Sequence, residues 1–100
     1  MRHKDVIFLI SVETDYDEIG NPIEREDERM VYANQLEVST AEFYEASAQG
    51  LKPEKRFEIY SFEYQGEDRL KHEGKLYRVI RSATRGEKTK LTCEKVVRDG

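Results

Sequence analysis

The chain has 100 residues, enough for one domain with a modest core, and its formal charge at neutral pH is −4. Acidic and basic residues are mixed along the chain, which excludes the basic face typical of a free-standing DNA-binding domain. The single cysteine, Cys93, excludes an internal disulfide and a thiolate metal cluster. Six tyrosines and four phenylalanines argue against a disordered chain.

The first predicted element is a strand over residues 6–12, where β-branched and aromatic side chains follow one another. Such a nearly continuous apolar run predicts burial on both faces, or burial on one face and an interface on the other. The run is too short for a signal-peptide core or a membrane span, so we expect a protein made and used in the cytoplasm.

Residues 13–29 are predicted to form a long acidic loop or hairpin. They include Asp15, Asp17 and Glu18, and a Gly-Asn-Pro turn signal follows at 20–22. The charge density excludes a core element. A second strand is predicted over residues 30–38.

The segment 38–54 is predicted to be a helical insertion. Ser39 and Glu42 have the spacing of a capping box, and the good helix formers of 41–49 follow. Gly50 suits the position just after a helix, and Pro53 prevents continuation.

Four further strands are predicted over residues 56–62, 68–72, 75–82 and 89–97. Short strands joined by tight turns are typical of an antiparallel meander closed into a small barrel or sandwich. The fold class predicted for the single domain 1–100 is therefore mainly β, a small antiparallel β-barrel with one short α-helix inserted between the second and third strands.

No residue pattern points to catalysis, a metal site or a cofactor, so we do not expect an enzyme. His3 and His72 are predicted to be exposed rather than paired in a sheltered cleft. Asp15 and Asp17 offer only the first two ligands of an EF-hand loop, which favours a solvated acidic segment over a calcium site. Cys93 lies in mid-strand between Thr92 and Glu94, with no activating cation or helix N-terminus next to it, and is predicted to be a small core residue.

Beyond these local signals, the chain resembles the head-closure proteins of tailed bacteriophages, also called head–tail joining or stopper proteins. The likeness covers nearly the whole chain and is nearest to versions from phages and prophages of Gram-positive bacteria. It is carried by STAEFYEA (39–46) and QGLKPE (49–54), and by MRHKDVI (1–7), VYAN (31–34), FEI (57–59), FEYQGE (62–67), GKLYRVIR (74–81) and LTCE (91–94).

The resemblance implies a structural virion protein. Proteins of this family form rings beneath the portal and adaptor rings at the capsid vertex, seal the DNA exit after packaging and present a docking surface for the tail. The expected partners are other copies in the ring, the portal or adaptor ring protein, the tail-completion protein and, transiently and non-specifically, phage DNA in the channel. No membrane is expected, and the expected location is the virion, reached from the host cytoplasm during assembly.

In the best-known member of the family, the connection between the second and third strands lines and plugs the channel. By this resemblance, the candidate partner and channel interface comprises Ser39, Glu42, Phe43, Tyr44, Gln49, Leu51 and Lys52, together with Asp15, Asp17 and Glu18 of the acidic segment. The plain alternative is that 38–54 is a lid on the barrel. Adjacent Phe43 and Tyr44 cannot share one helix face, so one is predicted to serve the core and the other an interface.

Two other functions remain open at this stage. One is an adaptor or tail-completion protein at a neighbouring ring of the same connector. The other, from a different class, is a small β-barrel nucleic-acid-binding module whose aromatic residues within 57–64 stack on bases.

Overall fold

The computed structural model describes residues 5–96, which form six strands and one α-helix. The strands are β1 (Asp5–Tyr16), β2 (Pro22–Leu36), β3 (Lys55–Tyr60), β4 (Arg69–His72), β5 (Lys75–Arg85) and β6 (Lys88–Lys95), and the helix is α1 (Thr40–Ser47). A single 3-10 turn, Ser61–Glu63, follows β3. The predicted end of the last strand at Val97, like His3, lies outside the described residues.

The six strands close into an antiparallel barrel with the order β1-β2-β3-β6-β5-β4, and β4 returns to pair with β1. This confirms the predicted fold class, including the helix between the second and third strands. The order is not that of one simple meander. Two three-stranded meanders, β1-β2-β3 and β4-β5-β6, join through β3–β6 and β1–β4.

The core is formed by side chains that alternate toward the barrel axis, as the two-residue period of a strand requires. Phe57 and Ile59 of β3 are fully buried, and Cys93 is buried as predicted. Burial raises the pKa of the Cys93 thiol to about 12, so it stays protonated and unreactive. The cluster is completed by Ile7, Leu9, Val31, Ala33, Leu70, Tyr77 and Leu91.

Of the two alternatives predicted for residues 13–29, a long loop or a hairpin, the acidic segment is a hairpin. Strands β1 and β2 pair without interruption from Asp5↔Ala33 to Tyr16↔Pro22, so the turn occupies only residues 17–21. Asp17 Oδ1 accepts hydrogen bonds from the backbone N–H groups of Ile19 and Asn21, which holds this turn. Charge density excluded a core element, but it does not prevent backbone pairing in water.

The hairpin extends well past the barrel. Strand β4 pairs with β1 only over Ile7–Ile10, and β3 pairs with β2 only over Asn34–Leu36. Residues 11–27 therefore form a free two-stranded arm, called the arm below. Arg29 lies at its base, where it donates to the carbonyl of Glu63 and to the carboxylate of Glu67 at 2.6 Å.

The only α-helix of residues 5–96 has eight residues, too few to cross a bilayer.

Candidate interaction surfaces

The helical insertion has the predicted caps. Ser39 Oγ accepts a hydrogen bond from the Glu42 N–H at 3.2 Å, and α1 begins at the next residue, Thr40. At the other end, the N–H of Leu51 donates to the Ala46 carbonyl and the N–H of Gly50 to the Ser47 carbonyl, the pattern of a Schellman motif. Gly50 adopts φ +77°, the left-handed conformation that the motif needs.

The second half of the capping box is replaced by a tertiary contact. The Glu42 carboxylate lies 2.9 Å from Arg56 Nε on β3 and accepts from the Thr92 hydroxyl on β6 at 3.4 Å. Glu45 and Arg81 on β5 form an exposed pair at 3.4 Å. The helix thus lies on the outside of the barrel, over β3, β6 and β5.

Packing beneath α1 is sparse. None of the helix side chains is buried, and a cavity of about 40 Å³ remains between helix and barrel. The residues around it include Gln49 and Leu51 of the predicted interface, together with Ile80. Lys52 is exposed, and its N–H donates to the carboxylate of Glu94 at 3.3 Å.

Neither Phe43 nor Tyr44 enters the core, so the prediction that one would do so is wrong. Their exposed fractions are 45% and 69%, and the two rings meet edge to face at 6.2 Å. The reason is that α1 turns Glu42 toward a polar barrel surface containing Arg56 and Thr92. Both aromatic rings therefore remain available to a partner.

We expect Glu42→Gln to loosen α1 while leaving the barrel folded. Glu42 and Arg56 are both mostly shielded from water, so the loss of this pair should cost about 1–2 kcal/mol. Hydrogen exchange of the α1 amides should accelerate. Glu45→Gln is the matched control, because its exposed pair with Arg81 should contribute less than about 0.5 kcal/mol. Equal protection of α1 in both variants would contradict this assignment.

The acidic candidates lie elsewhere. Asp15 pairs with Arg25 across the arm at 3.3 Å, Asp17 holds the turn, and Glu18 is exposed at the tip. The arm leaves the barrel from β1 and β2, whereas α1 lies over β3, β5 and β6. The two predicted groups of interface residues therefore belong to separate surfaces. Within residues 5–96, no three His, Cys, Asp or Glu side chains converge as metal ligands would.

Charge is segregated in the structure, although it is mixed along the sequence. The arm contains seven carboxylates and one arginine, a formal charge of −6, which leaves +2 for the rest of a chain of charge −4. The expectation of evenly mixed charge is therefore wrong at the level of the fold. Pairing of two acidic stretches in one hairpin concentrates the negative charge.

An apolar patch lies on the outer face at the foot of the arm. Val6 is directly opposite Tyr32, and Phe8 is opposite Met30, all four being 36–55% exposed. Ile7 and Val31, their neighbours in sequence, face the core. The first apolar run was predicted to be buried on both faces, or buried on one face with an interface on the other. This part of β1 matches the second interpretation, because one face is buried and the other is an exposed apolar surface. Four adjacent apolar side chains of this kind are typical of an interaction surface.

A second exposed cluster lies at the β5–β6 turn, and it includes two of the aromatic residues within 57–64 on which the nucleic-acid-binding alternative depends. The rings of Tyr60 and Phe62 stack at 5.6 Å, and Lys88 Nζ lies 4.0 Å above the Tyr60 ring. Arg85 and Lys90 are exposed beside them. Tyr60, Phe62, Arg85, Lys88 and Lys90 are called the basic platform below. In the sequence, the positive charge of this cluster is indicated by segment 81–92, whose net formal charge is +3.

The predicted exposure of His72 is wrong. Its exposed fraction is 2%, because His72 alternates with Leu70 on the inner face of β4 and its ring meets that of Phe57 edge to face at 4.9 Å. Lys55 Nζ lies 3.0 Å from Nδ1, and an Asp5 carboxylate oxygen lies 3.7 Å from Nε2. His72 is therefore part of the core and its polar margin.

Comparison with known proteins adds no relative: no family model matches the chain, and no curated protein matches it significantly.

Proposed function

We propose that this protein is a structural component of the head–tail connector of a tailed phage or prophage, forming a ring that closes the DNA exit channel after packaging and docks the tail. The observation that carries the proposal is the closed antiparallel barrel with a helical connection between β2 and β3. By the resemblance, the connection at this point of the chain corresponds to the one that lines and plugs the channel and then moves aside when DNA leaves.

The way the connection is held supports a gating role. Its helix contacts the barrel through the Glu42–Arg56 and Glu45–Arg81 pairs and a hydrogen bond from Thr92, and no side chain of α1 is fully buried. The Lys52 and Glu54 N–H groups, which donate to β6, hold the end of the connection. A helix of eight residues is marginal in isolation, so release from the barrel would also allow it to unfold or extend. The two ion pairs contribute only about 1–2 kcal/mol and less than about 0.5 kcal/mol, which suits an element that changes position when DNA leaves.

The exposed apolar patch supports assembly. Val6, Phe8, Met30 and Tyr32 leave a hydrophobic surface on the outside of a small subunit, and its burial against a neighbouring copy would stabilise a ring.

Adding the purified protein to adaptor-capped portal complexes tests the function directly. Electron microscopy should show an additional ring at the exit of the complex, and capsids assembled without the protein should lose their DNA. The protein imaged without portals is the control, since it shows any ring that forms alone. Absence of added density, together with DNA retention in capsids that lack the protein, would refute the proposal.

The position of the added ring also distinguishes the proposed function from its nearest alternative. Density in the place of the adaptor, or attached to the tail end, would assign the protein to a neighbouring ring as an adaptor or tail-completion protein. The nucleic-acid-binding alternative draws support from the Tyr60–Phe62 stack beside Lys88. It requires salt-dependent, sub-micromolar binding of the isolated protein to single-stranded DNA.

A further inference from the structure

The arm receives little support from its own barrel, since the Arg69–Glu26 ion pair at 4.0 Å is long and exposed. Residues 11–27 pair only with one another, and a lone two-stranded hairpin is marginally stable in water. Tyr16, Ile19 and Ile23 project from it into solvent, with Ile19 at the tip 85% exposed. A surface that binds the arm should therefore combine positive charge with apolar contact area.

The basic platform has both properties. Arg85 and Lys90 are exposed, and within residues 5–96 neither forms an ion pair with the arm. Phe62, 78% exposed, provides an apolar ring beside them. The platform is firmly attached to the β5–β6 turn, since the Ser61 N–H donates to the Glu87 carbonyl and the Ser61 hydroxyl donates to the Gly86 carbonyl.

The arm and the platform are separate surfaces of one subunit, built on strand pairs that are not neighbours in the barrel. In the strand order, β3 separates β2 from β6 on one side and β4 separates β1 from β5 on the other. A contact between the arm of one copy and the platform of another is therefore heterologous, since the two copies use different surfaces. Such a contact generates a ring when it is repeated from copy to copy and the rotation between successive copies brings the last copy back to the first.

We propose that the arm of one copy docks on the basic platform of the next, and that this head-to-tail contact builds the ring. The role of the ring in a connector rests on the function proposed above, but the contact itself does not. It assigns the acidic residues Asp15, Asp17 and Glu18 to a neighbouring copy in the same ring, with Ile19 and Tyr16 against the Phe62 ring.

Single-stranded DNA is the competing ligand for a surface of aromatic rings and cations. A second copy is the better fit because the arm offers both a charge of −6, opposite in sign to the platform, and apolar side chains that can pack on the Phe62 ring. DNA approaching the same platform would also be repelled by the arm and by the overall charge of −4.

Disulfide trapping tests the contact on the full-length protein. Ile19→Cys places a thiol at the arm tip and Phe62→Cys places one on the platform, while buried Cys93 remains silent. A mixture of the two single variants should give heterodimers in preference to either homodimer. The double variant should give a ladder beyond dimers, because each copy then joins two neighbours. Ala48→Cys replaces Phe62→Cys in the control and should give about tenfold less heterodimer with Ile19→Cys.

Charge reversal identifies the cause of the contact. Glu18→Lys with Glu24→Lys on the arm should reduce the ladder about tenfold, as should Arg85→Glu with Lys90→Glu on the platform. A mixture of the two reversed proteins, each carrying the matching cysteine, should restore cross-linking. Raising the salt concentration to about 1 M should weaken the ladder of the unreversed protein, because the Debye length falls to about 3 Å.

The outcomes separate this inference from the connector function. Rings on portal complexes without Ile19–Phe62 cross-links would overturn the arm contact and leave the function standing. A ladder from a protein that adds nothing to portals would support the contact and refute the function. Homodimers formed by the Ile19→Cys variant alone would overturn the arm–platform contact in favour of a symmetric arm–arm contact. Absence of a ladder, with single-stranded DNA binding that depends on Arg85 and Lys90, would overturn it in favour of a nucleic-acid surface.

Discussion

Phe57→Ala should lower the free energy of unfolding by about 3–5 kcal/mol, the largest effect expected of any single substitution in this barrel. The Phe57 ring is fully buried in the middle of β3 and contacts the His72 ring edge to face at 4.9 Å. Its removal takes away buried apolar area and leaves a cavity that a closed barrel cannot easily collapse to fill. Urea unfolding followed by circular dichroism measures the loss.

Phe62→Ala is the matched control, since it removes the same ring from a position 78% exposed. Its effect on stability should stay within about 0.5 kcal/mol. Should the Phe57→Ala protein not fold, Phe57→Leu gives a smaller loss, about 1–1.5 kcal/mol, that can still be measured. Equal losses for the two alanine variants would show that the described core is wrong.

Glu67→Gln should lower the free energy of unfolding at neutral pH by about 1.5–3 kcal/mol. The side chain of Glu67 is only 4% exposed and accepts hydrogen bonds from Arg29 at 2.6 Å and from the Gln65 N–H at 2.7 Å. These contacts join the base of the arm to the connection between β3 and β4. Glu54→Gln, at an exposed site, is the control and should have little effect.

The same carboxylate makes stability depend on pH. Burial by itself raises the pKa of Glu67, but the hydrogen bond from Arg29 and those from backbone N–H groups outweigh it, so the net pKa lies below its usual range. A group of this kind stabilises the fold above its unfolded pKa, about 4.3, and the stabilisation is lost as the pH falls through the folded pKa. The difference between the wild-type and Glu67→Gln unfolding free energies should thus be constant above about pH 5 and shrink at lower pH. A difference that stays constant down to pH 3 would contradict this.

Local chemistry in the sequence determined the positions of the elements. The helix followed from Ser39 and Gly50, because a cap is a hydrogen-bond requirement satisfied within a few residues. The strands followed from apolar runs and two-residue alternation between turn residues, and Cys93 was assigned to the core because it lies within a strand without an activating partner. The other half of the capping box, in which the Glu42 side chain would reach back to the start of the helix, is absent. Glu42 instead pairs with Arg56, a residue far away in the sequence.

Tertiary structure alone decided which surfaces exist. The order β3-β6, the burial of His72 and the patch formed by Phe8 and Met30 all depend on strand pairing, which local sequence does not specify. The arm shows the reason most clearly. Its residues carry the charge and exposure of a loop, yet β1 and β2 keep their register through it. Burial produces a pattern of apolar and polar residues in the sequence, because the polarity of each side chain must suit its surroundings. Backbone pairing between two exposed strands requires no such pattern, so the sequence does not reveal it.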